Sequence, residues 1–213
     1  MQHVLWMVPV VPENSKKMSA SKNQNRISPL DPKSETGKTK QMVDDMRARF
    51  GFVPNLFRVL GNAPAALEAY FNFSSALQTG TLDAKVQEQI GLAVAESNLR
   101  DYCLAAHVIL GRKAGLNEDE IADAIRAKAV NTKTDAIMKL ARGIIVERGE
   151  ISDLELARAR AAGLTDGEIV EIVANVVLNI FMNYLDHVAR TAMDFPEVAK
   201  PEPLAAQTKA ARH

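Results

Sequence analysis

"KVQEQIGLAVAESNLRDYCLAAHVILGRKAGL", Lys85 to Leu116, is the stretch on which the fold turns. Its first half reads as an amphipathic helix that ends at Asn98. Asp101 can cap a second helix, which stops at Gly115. Two helices joined this closely make a hairpin. The second helix carries Cys103, the only cysteine of the chain, and His107 four residues on. That spacing places thiol and imidazole on one helix face, as a nucleophile and its base require. In the first turn, unpaired N–H groups and the helix dipole favour a thiolate, and Arg100 just outside adds positive charge. Glu88, on the first helix, can reach His107 across the hairpin and fix its tautomer. Tyr102 can donate a hydrogen bond near the thiol or simply pack. The same pattern also fits a small buried cysteine beside a solvated glutamate, so both arrangements stay open at this point.

Outward from this hairpin the chain reads as helical. Prolines fall at 9, 12, 29, 32, 54 and 64, then at 196, 201 and 203, leaving Ala65 to Phe195 without one. Met42, Met46 and Phe50 form one stripe, and Leu67, Tyr70, Phe71 and Leu77 another. Ile137, Leu140, Ala141, Ile144 and Ile145 form a third. A long, deeply buried stripe is expected from Ile169 through Ile172, Val173, Val176, Val177, Ile180, Phe181, Tyr184 and Leu185 to Val188. No segment alternates with period two for long. The prediction is an all-α bundle of about six to eight helices. An internal echo supports duplicated units: "AGLNEDEI" (114–121) and "AGLTDGEI" (162–169) share a helix-stop glycine, a cap at Asn117 or Thr165, and a capping-box glutamate at 120 or 168. Glu168 also precedes His187 by the nineteen residues that separate Glu88 from His107.

Residues 13–40 are polar almost throughout, and residues 1–40 are expected to form a mobile extension, with Met18 as an alternative start. Residues 41–196 are expected to form the helical domain and 197–213 a loosely held tail.

Twenty-six basic residues balance twenty-six acidic ones, which leaves no electrostatic footprint for a nucleic-acid or anionic-membrane partner. No apolar run approaches the length that spans a bilayer, and "LWMVPVV" near the start is too short for one. The expectation is a soluble, cytoplasmic protein, and one cysteine fits a reducing compartment. A single cysteine excludes an intrachain disulfide framework and a multi-cysteine zinc site. "TGKTK" lacks the first glycine of a phosphate-binding loop, since Pro32 stands there. His187 has no second histidine at metal-ligand spacing, and His3 and His213 lie in the tails. No metal and no cofactor are expected.

The quoted stretch resembles the central segment of the carboxymuconolactone decarboxylase and alkylhydroperoxidase AhpD-like superfamily. "VPNL", "LDAKVQEQI" and "NYLDHVARTAMDFP" are similar to its longer members, and the resemblance covers about residues 42–198. It implies an all-α fold of duplicated helical units and a homo-oligomer, trimeric or hexameric. Redox members carry Glu, then Cys-x-x-Cys, then His four residues after the second Cys. Glu88, Cys103 and His107 fall on the Glu, the second Cys and the His. The first Cys is replaced by Arg100, and Leu99 stands where such members often have Gly after Asn. The implied activity is reduction of hydroperoxides, here through one cysteine and an external thiol reductant. Cys103 would be the nucleophile, His107 its base, Glu88 the orienting carboxylate, with Arg100 and Tyr102 auxiliary. The decarboxylase branch implies an alternative: acid–base chemistry on a small lactone acid held by Arg100. A third reading is an oligomer that keeps these residues as packing.

Overall fold

The structure, a computed structural model, describes residues 25–200. The expectations for Met18, His3, His213 and most of both terminal segments lie outside the described residues. Nine helices and no strand occur among the described residues, one more helix than the upper expectation. They are α1 (Gly37–Phe50), α2 (Asn55–Leu60), α3 (Pro64–Leu77), α4 (Ala84–Ser97), α5 (Asp101–Ala114), α6 (Glu118–Ile125), α7 (Thr132–Val146), α8 (Asp153–Ala161) and α9 (Asp166–Ala189).

The chain forms two compact units. Among the described residues, one contains residues 25–72 together with Leu185–Asp194. Its core joins Leu30, Val43, Met46 and Val53 with Phe50, Phe57 and Phe71. Phe57 stacks on Phe71 at 5.9 Å and meets Tyr70 edge-on at 5.5 Å, so Phe50 and Phe57 of "RFGFVPNLF" pack against the core. Gly51 stops α1 in the left-handed region, φ 80°, donating its N–H to Arg47 O at 2.8 Å. Residues 25–36, ahead of α1, are tied down by polar contacts. Arg58 donates Nε to Leu30 O at 2.9 Å, and Ala192 donates its N–H to Asn25 Oδ1 at 2.7 Å. The 40/41 boundary drawn from composition falls inside α1, because "GKTKQ" is polar yet forms its first turn.

The other unit contains Phe73–Tyr184 and residues 195–200. Its centre is α4, which packs against α5, α6 and α7 and buries Ile90, Leu92, Val94 and Ala95. Here the echo is geometric. Helices α4 and α6 begin at 84 and 118, and α7 and α9 at 132 and 166, a constant offset of 48 residues. Gly115 and Gly163 both stop a helix at φ 93°, and Asn117 and Thr165 each exchange hydrogen bonds with the glutamate three residues on. Arg112 pairs with Glu118 in one copy as Arg160 pairs with Asp166 in the other.

Two expectations for α9 are corrected. Glu168 does not repeat Glu88: it caps α9 at Thr165 and pairs with Lys133 at 2.7 Å. His187 stands nineteen residues later on the same helix, a rise of about 28 Å, whereas Glu88 and His107 sit on separate helices that fold back on each other. Nor is the apolar stripe deeply buried. Ile172 and Val176 are buried, but Val170, Val173, Val177, Phe181, Tyr184 and Val188 are exposed, and Asn175, Asn179 and Asn183 are buried instead. An asparagine can satisfy its amide on its own helix, as Asn175 Nδ2 does on Glu171 O at 2.8 Å and Asn179 Nδ2 on Asn175 O at 2.9 Å. By length and composition α9 could also cross a membrane, though only 33% of its most apolar window is buried within the protein. Asn175, Asn179 and Asn183 interrupt the apolar run, so run length alone does not show it.

Candidate active site in the α4–α5 hairpin

Helix α4 starts where Asp83 accepts the N–H of Val86 at 2.9 Å. It ends at Asn98, and the chain re-enters α5 after Leu99 and Arg100. Leu99 carries the turn at φ 55°, the left-handed region that favours glycine, and its side chain is 68% exposed. The residue type is thus unusual for the conformation.

Asp101 was expected to cap α5; it is the first helical residue instead. The cap position belongs to Arg100, whose side chain makes no capping bond and turns its Nε back to Leu99 O at 2.9 Å. Leu99 already reverses the chain, so helical geometry begins one residue earlier than a capping Asp101 would need. Asp101 meets Lys200 Nζ at 2.9 Å, and Lys200 also reaches Glu96 at 2.8 Å. Burial would lower the Lys200 ammonium, but its bonds to Glu96 and Asp101 outweigh this and hold it above the ordinary lysine value.

Cys103 lies in the first turn of α5 and is 4% exposed. Tyr102 is also buried, its ring edge-on to Phe195 at 5.2 Å. One turn beyond Cys103, His107 Nδ1 meets Glu88 Oε2 at 2.8 Å across the hairpin. Both side chains are about four-fifths buried, at 18% and 22% exposure. A carboxylate can only accept, so the bond assigns a proton to Nδ1 and, in the neutral imidazole, leaves the lone pair on Nε2. The structure therefore joins Glu88 to His107 and stacks Cys103 on the same helix one turn away.

One residue of this arrangement was missed from sequence. Gly91 lies on α4 beneath His107, where an added Cβ would stand 2.4 Å from the imidazole. Its signal was a glycine inside a helix three residues after Glu88, a placement that costs about 1 kcal/mol relative to alanine.

Two concavities lie elsewhere in this unit. One of about 350 Å³ adjoins the opposite face of α5 at Val108, Ile109 and Arg112 and is bounded by Pro196–Ala199. The other, of about 610 Å³, opens beside α7 and α8. Glu88, Cys103 and His107 line neither. No group of three or more His, Cys, Asp or Glu side chains among the described residues is arranged to hold a metal ion.

Residues 64–147, which include Glu88, Cys103 and His107, match the carboxymuconolactone decarboxylase family. An alkylhydroperoxidase AhpD-core, peroxidase-related protein from Ralstonia eutropha JMP134 shares the fold at TM-score 0.73 and 21% identity, over 80% of this chain and 92% of that one. A peroxidase-related protein from Silicibacter sp. TM1040 gives 0.69 and 18%, over 81% and 94%. The debrominase Bmp8, solved in complex with 2,3,4-tribromopyrrole, gives 0.70 and 14%, over 80% and 92%. No curated protein matches significantly in sequence. The segment 64–147 is thus similar to the carboxymuconolactone decarboxylase family, and the chain shares its fold with AhpD-like, peroxidase-related proteins.

Proposed function

We propose that the protein is a single-cysteine, thiol-dependent oxidoreductase that reduces organic hydroperoxides. The observation that carries this reading is the 2.8 Å bond between His107 Nδ1 and Glu88 Oε2, one helical turn from Cys103. It leaves Nε2 as the base. Cys103 gives its proton to His107, and the thiolate attacks the terminal peroxide oxygen. The O–O bond breaks, the alkoxide takes the proton back, and an alcohol leaves with Cys103 as the sulfenic acid. An external thiol then attacks sulfur and releases water, and a second thiol frees Cys103 as a disulfide of the reductant departs. Arg100 replaces the cysteine that would resolve this intermediate internally, so the reductant must come from outside.

Intact-mass measurement after mild peroxide tests the reading. A gain of one oxygen on Cys103, absent in Cys103→Ser, is expected. No oxidation, together with no hydroperoxide turnover with any thiol reductant, would overturn it.

The burial of Cys103 favours a second reading, in which Glu88 and His107 move protons on a small lactone acid whose carboxylate Arg100 holds. Cys103→Ser separates the two: it abolishes peroxidase activity and spares acid–base turnover.

The assembly proposed is a homo-oligomer, trimeric or hexameric, built on α9. The exposed residues 170, 173, 177, 181, 184 and 188 recur at steps of three and four, the seam by which one helix packs on another. A second copy presents the same seam, so the contact is self-complementary.

A further inference from the structure

The imidazole of His107 occupies space that belongs, in any other helix, to the side chain of position 91. A Cβ built on Gly91 would meet His107 Cε1 and Nδ1 at 2.4 Å and Cγ at 2.8 Å. Real Cβ contacts do not come this close, and the ring is a rigid plane with no flexible end to move aside. Gly91 is buried in mid-α4, in neither a turn nor a cap, so its conformational freedom explains nothing. As a helix former it is inferior to alanine. Space is the remaining reason.

The atom that would be struck is also the atom that matters. Nδ1 is bonded to Glu88 Oε2 at 2.8 Å, and Glu88 and Gly91 are three residues apart on one face of α4. A methyl group at 91 would take the volume in which that bond is made. The bond cannot be regained by sliding, because Ile90 and Leu92 on either side are fully buried.

We propose that Gly91 is a positioning residue: it seats the His107 ring against α4 so that Nδ1 faces Glu88 and Nε2 is the base. The seating itself is a matter of packing. Its consequence for Cys103 rests on the proposed function above.

A double-mutant cycle on the full chain tests the seating without any assay of activity. Gly91→Ala is expected to lower Tm by about 4 °C or more. In the His107→Ala background, where the ring is gone, the same change should leave Tm unchanged or raise it, since alanine is the better helix former. An equal loss in both backgrounds would overturn the proposal. If Gly91→Ala alone does not fold, the double variant must still fold, and its failure would overturn the proposal too. The second arm is the pH profile of Cys103 alkylation by iodoacetamide. Gly91→Ala should lose about tenfold or more in rate at neutral pH and follow the profile of His107→Ala. Coupling in Tm with a wild-type profile would leave Gly91 a packing residue and refute its positioning role. A wild-type profile that is indifferent to His107→Ala refutes the proposed function instead, and the cycle still decides the seating.

Discussion

Glu88 and His107, nineteen residues apart in the chain, meet at 2.8 Å because α4 and α5 fold back on each other around the short Asn98–Leu99–Arg100 connection. Glu88→Gln keeps the shape and removes the charge. An amide can still accept from Nδ1, but it no longer stabilises the imidazolium formed when His107 takes a proton. Peroxide consumption per Cys103 should fall about 10- to 100-fold with Tm shifted only slightly. Stopped-flow rates set beside thermal melts check this; an unchanged rate removes Glu88 from the site.

Leu99 holds a left-handed backbone conformation that costs a leucine about 1–2 kcal/mol. Its side chain is largely exposed, so little packing is lost on removing it. Leu99→Gly should therefore stabilise the protein by about 0.5–1 kcal/mol, the relief of strain being partly offset by a more flexible unfolded chain. Chemical denaturation at neutral pH measures it, with loss of stability as the contrary result.

Glu171 fastens the Thr81 turn to α9, accepting from Thr81 N at 2.8 Å, Leu82 N at 3.1 Å and Thr81 Oγ1 at 3.0 Å. Burial would raise its carboxyl, but these bonds prevail and hold it below the ordinary 4.5. A depressed carboxylate contributes stability above its unfolded value, and that contribution is lost as pH falls through the folded one. Glu171→Gln should cost about 1–2 kcal/mol at pH 7. The difference from wild type should shrink as pH drops below about 4.5. Melts across that range check the sign, since a difference that grows on acidification contradicts it.

Phe181 stands at the middle of the exposed α9 seam, with Val177 and Tyr184 one turn to either side. Light scattering of the wild type at micromolar concentration should give a multiple of the single-chain 23.3 kDa. Phe181→Glu should reduce it toward that mass with the helical signal intact, because like charges then face each other across a self-complementary contact. A wild-type mass near 23.3 kDa, or recovery of the protein with lipid, would count against a second copy as the occupant.

The amino-acid sequence by itself determined the helical class, the α4–α5 hairpin, and the repeated Gly–Leu–cap turns at 115 and 163, because each rests on neighbours within a few residues. It also brought Glu88, Cys103 and His107 forward as candidates, through helical spacing and family pattern. The tertiary structure alone decided the rest. Which face of α9 is buried could not be read, since the helix is apolar nearly all round and two of its buried asparagines, Asn175 and Asn179, bond to their own backbone. That Asp101 begins α5 rather than capping it depended on Leu99 taking a conformation leucine rarely adopts. And that Gly91 is the floor beneath His107 depended on how two helices lie against each other, a volume shared by residues sixteen apart. Periodicity states which residues lie on one helix; only packing states what they touch.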